Sequence, residues 1–225
     1  MIEGISQFIL KQRFFIIFTS ILIVILAAIS LPKTKFSSDY RIYFSEDNPH
    51  LQAYEELQAT FTKSDNVMFV IAPRDGQVFT QSTLAIIEQL TDMAWQLPYS
   101  IRVDSITNYQ HTIAEGDDLI VDNLVSDALN RSNDELNQVK NIALNEPSLA
   151  GKLISHTADV TGVNISIEMP GIDPSTETPE VAYAAYDIQS LLKEKYPDLE
   201  VYVTGQIIMD NTFKDAAIYD LTHII

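Results

Sequence analysis

From Phe14 to Leu31 the chain reads FFIIFTSILIVILAAISL, with no charged residue and only Thr19, Ser20 and Ser30 as polar interruptions. As an α-helix such a run is about 27 Å long, near the thickness of a bilayer's hydrocarbon core. Backbone groups in lipid must be satisfied within the segment itself, so residues 14–31 are expected to form a membrane-spanning helix. A cleavable export signal is the alternative. Lys11 and Arg13 supply its basic lead and Ala28-Ile29-Ser30 its small-x-small triplet. The length of the run and the adjoining Pro32 favour a retained anchor. Lys33 and Lys35 balance Lys11 and Arg13, so charge does not set orientation. Both readings send residues 32–225 largely outside the cytoplasm; the anchor reading makes residues 1–13 a cytoplasmic lead and holds the protein at the inner membrane.

The remaining 190 or so residues suffice for one sizeable core or two small ones. From Phe36 onward there are 10 Lys and Arg against 30 Asp and Glu, a net charge of −20. Such a surface does not attract nucleic acid or an anionic membrane. It suits solubility better than it suits a special cationic substrate. The absence of cysteine excludes disulfides and thiolate metal sites.

Residues 32–65 read as a linker and a helix. Asn48 and Pro49 form a cap and first helical position, and Leu51, Tyr54, Leu57 and Phe61 follow at helical spacing, which predicts a helix near 49–61 with that face buried. Asn66–Ala72 is a β-rich apolar run closed by the turn Pro73-Arg74-Asp75-Gly76. Thr80 or Ser82 caps a helix over 81–97, with Leu84, Ile87, Leu90, Ala94 and Leu97 as its stripe. Residues 101–106 alternate as a half-buried strand. Residues 107–160 form a polar, acidic insertion without a deep core; within it Ser132 and Glu135 make a capping box for a helix to about Asn145. Residues 162–169 predict a strand and 170–175 a loop. Thr178-Pro179-Glu180 predicts the start of a helix over 179–196, with Val181, Ala184, Ala185, Ile188, Leu191 and Leu192 inward. Residues 199–204 predict a strand, and 206–225 a helix that grows apolar at its end. Without the insertion, residues 66–205 follow the βαββαβ order of a ferredoxin-like α+β domain, a four-stranded antiparallel sheet with both helices on one face.

No catalytic, cofactor-binding or metal-ligating set emerges, and no substrate-binding residue can be named. His50, His111, His156 and His223 lack zinc spacing. Glu115, Asp117 and Asp118 lack the spacing of a calcium loop, and solvation is their ordinary role. Asp210, Asp215 and Asp220 recur every five residues and spread around a helix. No Gly-rich phosphate loop and no Gly-x-Ser-x-Gly elbow is present. An anchored hydrolase is disfavoured, and the chain is read as no enzyme.

Several stretches do resemble one family. Tyr43-Phe44-Ser45-Glu46-Asp47-Asn48-Pro49 follows the apolar run. Asp65-Asn66-Val67, then Gly76-Gln77-Val78-Phe79-Thr80 ahead of a helix, and Arg102-Val103-Asp104-Ser105-Ile106-Thr107-Asn108-Tyr109-Gln110 come next. Together they are similar to the N-terminal part of resistance–nodulation–division (RND) transporters, in the hydrophobe/amphiphile efflux branch grouped with the mycobacterial large membrane proteins. Arg102 to Asn108 is the most specific piece. The resemblance implies a first transmembrane helix, an extracytoplasmic porter domain at 66–205 built from ferredoxin-like units, and a helix at 206–225 leading to a second membrane block. It implies a fragment of a proton-driven exporter that is not transport-competent alone, its proton-relay residues lying outside the chain. The implied partners are the lipid bilayer, the rest of the permease, a hydrophobic or amphiphilic substrate and a second copy in a homo-oligomer, and no cofactor is implied; the net charge of −20 adds that the substrate is neutral or cationic at its head. The alternative is a single-pass anchored periplasmic domain for interaction or envelope assembly.

Overall fold

A computed structural model describes residues 11–30, 44–45, 47–60, 65–115 and 118–223. The chain divides into two units, residues 1–37 and residues 38–225.

The first unit holds helix α1, Arg13–Ser30, 18 residues long. Its apolar side chains are exposed on every side, from Phe14 and Phe15 to Val24 and Leu26. Among the described residues no helix is long and apolar enough to cross a membrane. The spanning helix expected at 14–31 is corrected accordingly. Arg13 opens α1, Leu31 lies outside the described residues, and the remaining uncharged helix falls short of the roughly 30 Å of a hydrocarbon core. The membrane and transmembrane attributes drawn from this segment fall with it, and nothing about transport follows from α1.

The second unit is α+β with two antiparallel sheets. Helix α2, Pro49–Thr60, starts where expected, with Asn48 Oδ1 accepting from the His50 and Leu51 amides at 2.9 and 3.3 Å. Its supposed inner face is not buried, since Tyr54 and Leu57 are exposed; Phe61 lies outside the described residues.

Strand β1, Asn66–Pro73, is followed by α3, Gln81–Ala94, whose N-terminus Thr80 caps by accepting from the Thr83 amide at 3.2 Å. Strand β2, Ser100–Asp104, leads to a ribbon of β3, Gln110–Glu115, and β4, Asp118–Asn123. A short 3-10 turn and helix α4, Asn133–Asn145, follow; the expected capping box of Ser132 and Glu135 is in place. Strand β5, Thr161–Ile167, helix α5, Pro174–Lys195, strand β6, Leu199–Thr204, and helix α6, Gln206–His223, complete the unit.

The larger sheet has the order β2-β5-β1-β6, every neighbouring pair antiparallel. Val67, Phe69 and Ile71 on β1 share one face with Val163 and Ile165 on β5 and Val201 on β6. These residues join Leu84, Ile87 and Leu90 of α3 and Val181, Ala185 and Leu192 of α5 in one core. Both helices therefore cover the same face, and the period-two burial of β1 leaves Met68, Val70 and Ala72 on the other.

Three further expectations change. The ferredoxin-like domain with a purely helical insertion is not what is found: the segment between β2 and β5 adds a second antiparallel sheet, the β3–β4 ribbon, as well as α4. The 107–160 stretch is not a superficial, purely helical insertion: Leu124, Val125, Leu136, Val139, Leu149 and Ile154 belong to the main core. Helix α5 begins at Pro174, five residues before the expected start, with Asp173 as cap and Pro179 inside it. Leu191, assigned inward, is exposed.

Candidate functional site

Two surfaces come from this arrangement, the face of the large sheet opposite α3 and α5 and the β3–β4 ribbon. On the sheet, the alternation that buries Phe69 turns Met68 and Val70 outward, both half-buried. The register sets Val70 beside Gly162 on one side and Tyr202 on the other, and Met68 beside Asn164 and Thr204. Gly162 leaves room for the Met68 side chain, whose methyl would have to shift if position 162 carried a Cβ. Asn66 Nδ2 donates to Asn164 Oδ1 at 2.7 Å, and Asn66 Oδ1 accepts from the Gln206 amide at 3.1 Å. Tyr202 is exposed and donates to Glu200 at 2.8 Å; that bond raises its phenol above the ordinary value. The result is an amphiphilic patch, apolar in the middle and amide-rich toward the end near Asn66. It offers contact and hydrogen bonds, and no nucleophile–base pair.

The segment Arg102–Asn108, which carried the strongest family signal, is structural. Ser105 and Thr107 are buried beside Thr91 of α3, with hydroxyls 3.0 and 2.8 Å apart along the series Thr91, Ser105, Thr107. Asn108 ties off the strand: its Oδ1 accepts from the Ser105 amide at 2.8 Å and its Nδ2 donates to the Val103 carbonyl at 2.7 Å. These bonds tie β2 and the turn after it to α3.

A second fixed point is Glu177. Its carboxylate accepts from the amides of Gly171, Ile172 and Asp173 at 2.9, 2.8 and 3.0 Å. The Asp173 amide above all, then those of Gly171 and Ile172, hold its carboxyl below the usual glutamate range, against the opposing effects of burial and of the Asp173 charge. The loop so held presents Ile172, 88% exposed. Tyr99 flanks this end of α5; its left-handed backbone (φ 61°) carries a phenol that donates to Glu180 at 2.9 Å, and the bond raises the phenol's pKa.

The polar residues weighed in the sequence do not converge. His50 is on α2, His111 on β3 and His223 at the end of α6, stacked on Tyr219. Asp210 accepts from Gln206 and Asp215 from Asn211, each one turn away along α6. Asp118 starts β4; Asp117 lies outside the described residues. Among the described residues no group of His, Cys, Asp and Glu is placed to hold a metal ion.

The ribbon escaped the sequence reading. Its strands pair from Gln110↔Asn123 to Glu115↔Asp118. The signal was present: Gly116-Asp117 sits between two short runs with β-forming residues, as a two-residue hairpin turn requires. Ile113, Leu119, Ile120 and Val121 are all exposed on it. No protein-family model matches the chain, and no curated protein sequence matches it.

Proposed function

We propose that residues 38–225 form a binding module, the extracytoplasmic porter-type domain of a larger RND-type exporter of hydrophobic or amphiphilic compounds. The observation that carries the reading is the sheet face opposite α3 and α5, where Met68, Val70 and Tyr202 lie among Asn66, Asn164 and Thr204. Apolar area with a few placed polar groups is the chemistry that accepts an amphiphile. The similarity of residues 43–49 and 102–110 to RND porters supports the same assignment. The acidic surface disfavours anionic heads, so the ligand is neutral or cationic. In this reading the protein works at the inner membrane, with lipid and the rest of the permease as partners, and the proposal does not depend on α1 spanning the bilayer.

A fluorescent long-chain trimethylammonium compound, used below its micelle concentration, tests the idea on the full chain. It should bind, a sulfate of equal chain length should bind at least several-fold more weakly, and Val70→Glu should weaken the binding of both. Equal binding of the two amphiphiles, or binding unaffected by Val70→Glu, would count against the assignment. The second reading, an interaction or envelope-assembly domain outside the cytoplasm, draws on the exposed ribbon. It would gain if neither amphiphile bound.

A further inference from the structure

The β3–β4 ribbon is a two-stranded sheet on its own, an arrangement that is marginal in water unless something completes it. Its apolar side chains are not covered: Leu119 is 72% exposed and Val121 56%. The phase of its hydrogen bonds is fixed by the Leu124 amide, which donates to the Tyr109 carbonyl at 2.8 Å. Alternation from that pair turns the backbone groups of Asp118, Ile120 and Asp122 toward β3 and those of Leu119 and Val121 outward. Among the described residues nothing bonds those outward groups. The free edge is therefore a strand template with side chains ready on both faces.

The charges around the edge restrict what can pair with it. Asp118 and Asp122 lie four residues apart, on the same face as Ile120, at the two ends of the Leu119-Ile120-Val121 run. Pairing β4 with β4 of a second copy, centred on Ile120, would set Asp118 opposite Asp122 twice. Directly opposed like charges destabilise such a pair, and the chain already carries a net −17. An anionic lipid surface meets the same repulsion.

We propose that the outer edge of β4 is a strand-addition site for an extended segment of a partner protein in which two basic residues, four apart, bracket three apolar ones. The cations stand opposite Asp118 and Asp122, and the apolar residues cover Leu119, Ile120 and Val121. Main-chain bonds to Leu119 and Val121 supply affinity, and the charges supply selectivity.

The test uses the full chain and two labelled peptides, Lys-Val-Ile-Val-Lys between Gly-Ser ends and its Glu-Val-Ile-Val-Glu counterpart, followed by fluorescence anisotropy. The lysine peptide should bind about tenfold more tightly than the glutamate peptide. Val121→Pro removes an outward N–H and leaves every inward bond of the ribbon intact, so it should weaken lysine-peptide binding by about tenfold. Asp118→Lys combined with Asp122→Lys should reverse the preference, an outcome that an unfolded variant could not produce. No binding of the lysine peptide, equal binding of the two, or a preference that survives both variants would overturn the proposal. So would a concentration-dependent dimer that forms in dilute buffer and that Val121→Pro abolishes, which would assign the edge to a second copy.

Discussion

Pro179 has no N–H to offer the Ser175 carbonyl one turn back in α5. That carbonyl accepts from Lys214 Nζ of α6 at 2.7 Å instead. A helix interrupted by proline is thus repaired by a neighbouring helix. Lys214→Met should lower stability by about 0.5–1.5 kcal/mol in a denaturant titration. The loss should shrink in a Pro179→Ala background, where the new amide can take the carbonyl, and a double-mutant cycle reads the difference. Gly205 is equally constrained. Its φ of 117° suits only glycine, and a Cβ would lie 2.4 Å from the Asn66 carbonyl oxygen. Gly205→Ala should cost about 3 kcal/mol, seen as a lower Tm. Asn108→Ala would leave the Ser105 amide and the Val103 carbonyl without their side-chain partner, and should cost about 1–3 kcal/mol.

At the scale of elements, what could be read in the sequence was what has a strong local cause. Strand β1, the stripe of α3 and the capping box of α4 each rest on a few neighbouring residues, and each is found close to where those residues place it. The start of α5 was misplaced because two prolines compete for the first turn. The deciding group, Glu177, acts through the three amides of the loop before it, a contact that spacing alone does not announce. The buried face of α2 was misread because periodicity states which residues could share a face and not whether anything covers it. For the same reason the sheet face around Val70 could be foreseen only as a side of a strand, since its neighbours come from Gly162 and Tyr202, far along the chain. Glu177 also makes a testable element. Because its folded-state pKa is lowered, the charged form is the stabilising one. Its contribution is complete above the unfolded-chain value, about 4.3, and is lost as pH falls through the folded-state value. Glu177→Gln should be less stable than the parent at pH 7, and the gap should close as the pH falls below the unfolded-chain value and through the lowered folded-state one; amide exchange at Ile172 and Asp173 reports it locally.

Across the whole molecule, acidity and structure are reconciled without many cations. Glu135, Glu146, Asp159 and Glu177 all have lowered pKa values, and the largest cause in each is a hydrogen bond from a backbone amide or a hydroxyl: Ser132, Ser148, Ser155 and Asp173 respectively. With 14 Lys and Arg against 31 Asp and Glu, donors of that kind do what ion pairs do elsewhere. One consequence concerns handling. The two aspartates that bracket Leu119-Ile120-Val121 act as gatekeepers of an aggregation-prone strand, and their protection is purely electrostatic. Dissolved electrolyte shortens the reach of that protection from about 30 Å at 0.01 M to about 3 Å at 1 M. Stocks kept in dilute buffer should stay clear, and those brought to molar sodium chloride should scatter light increasingly over days. Asp122→Asn should bring the onset to lower salt, and Val121→Pro should suppress it.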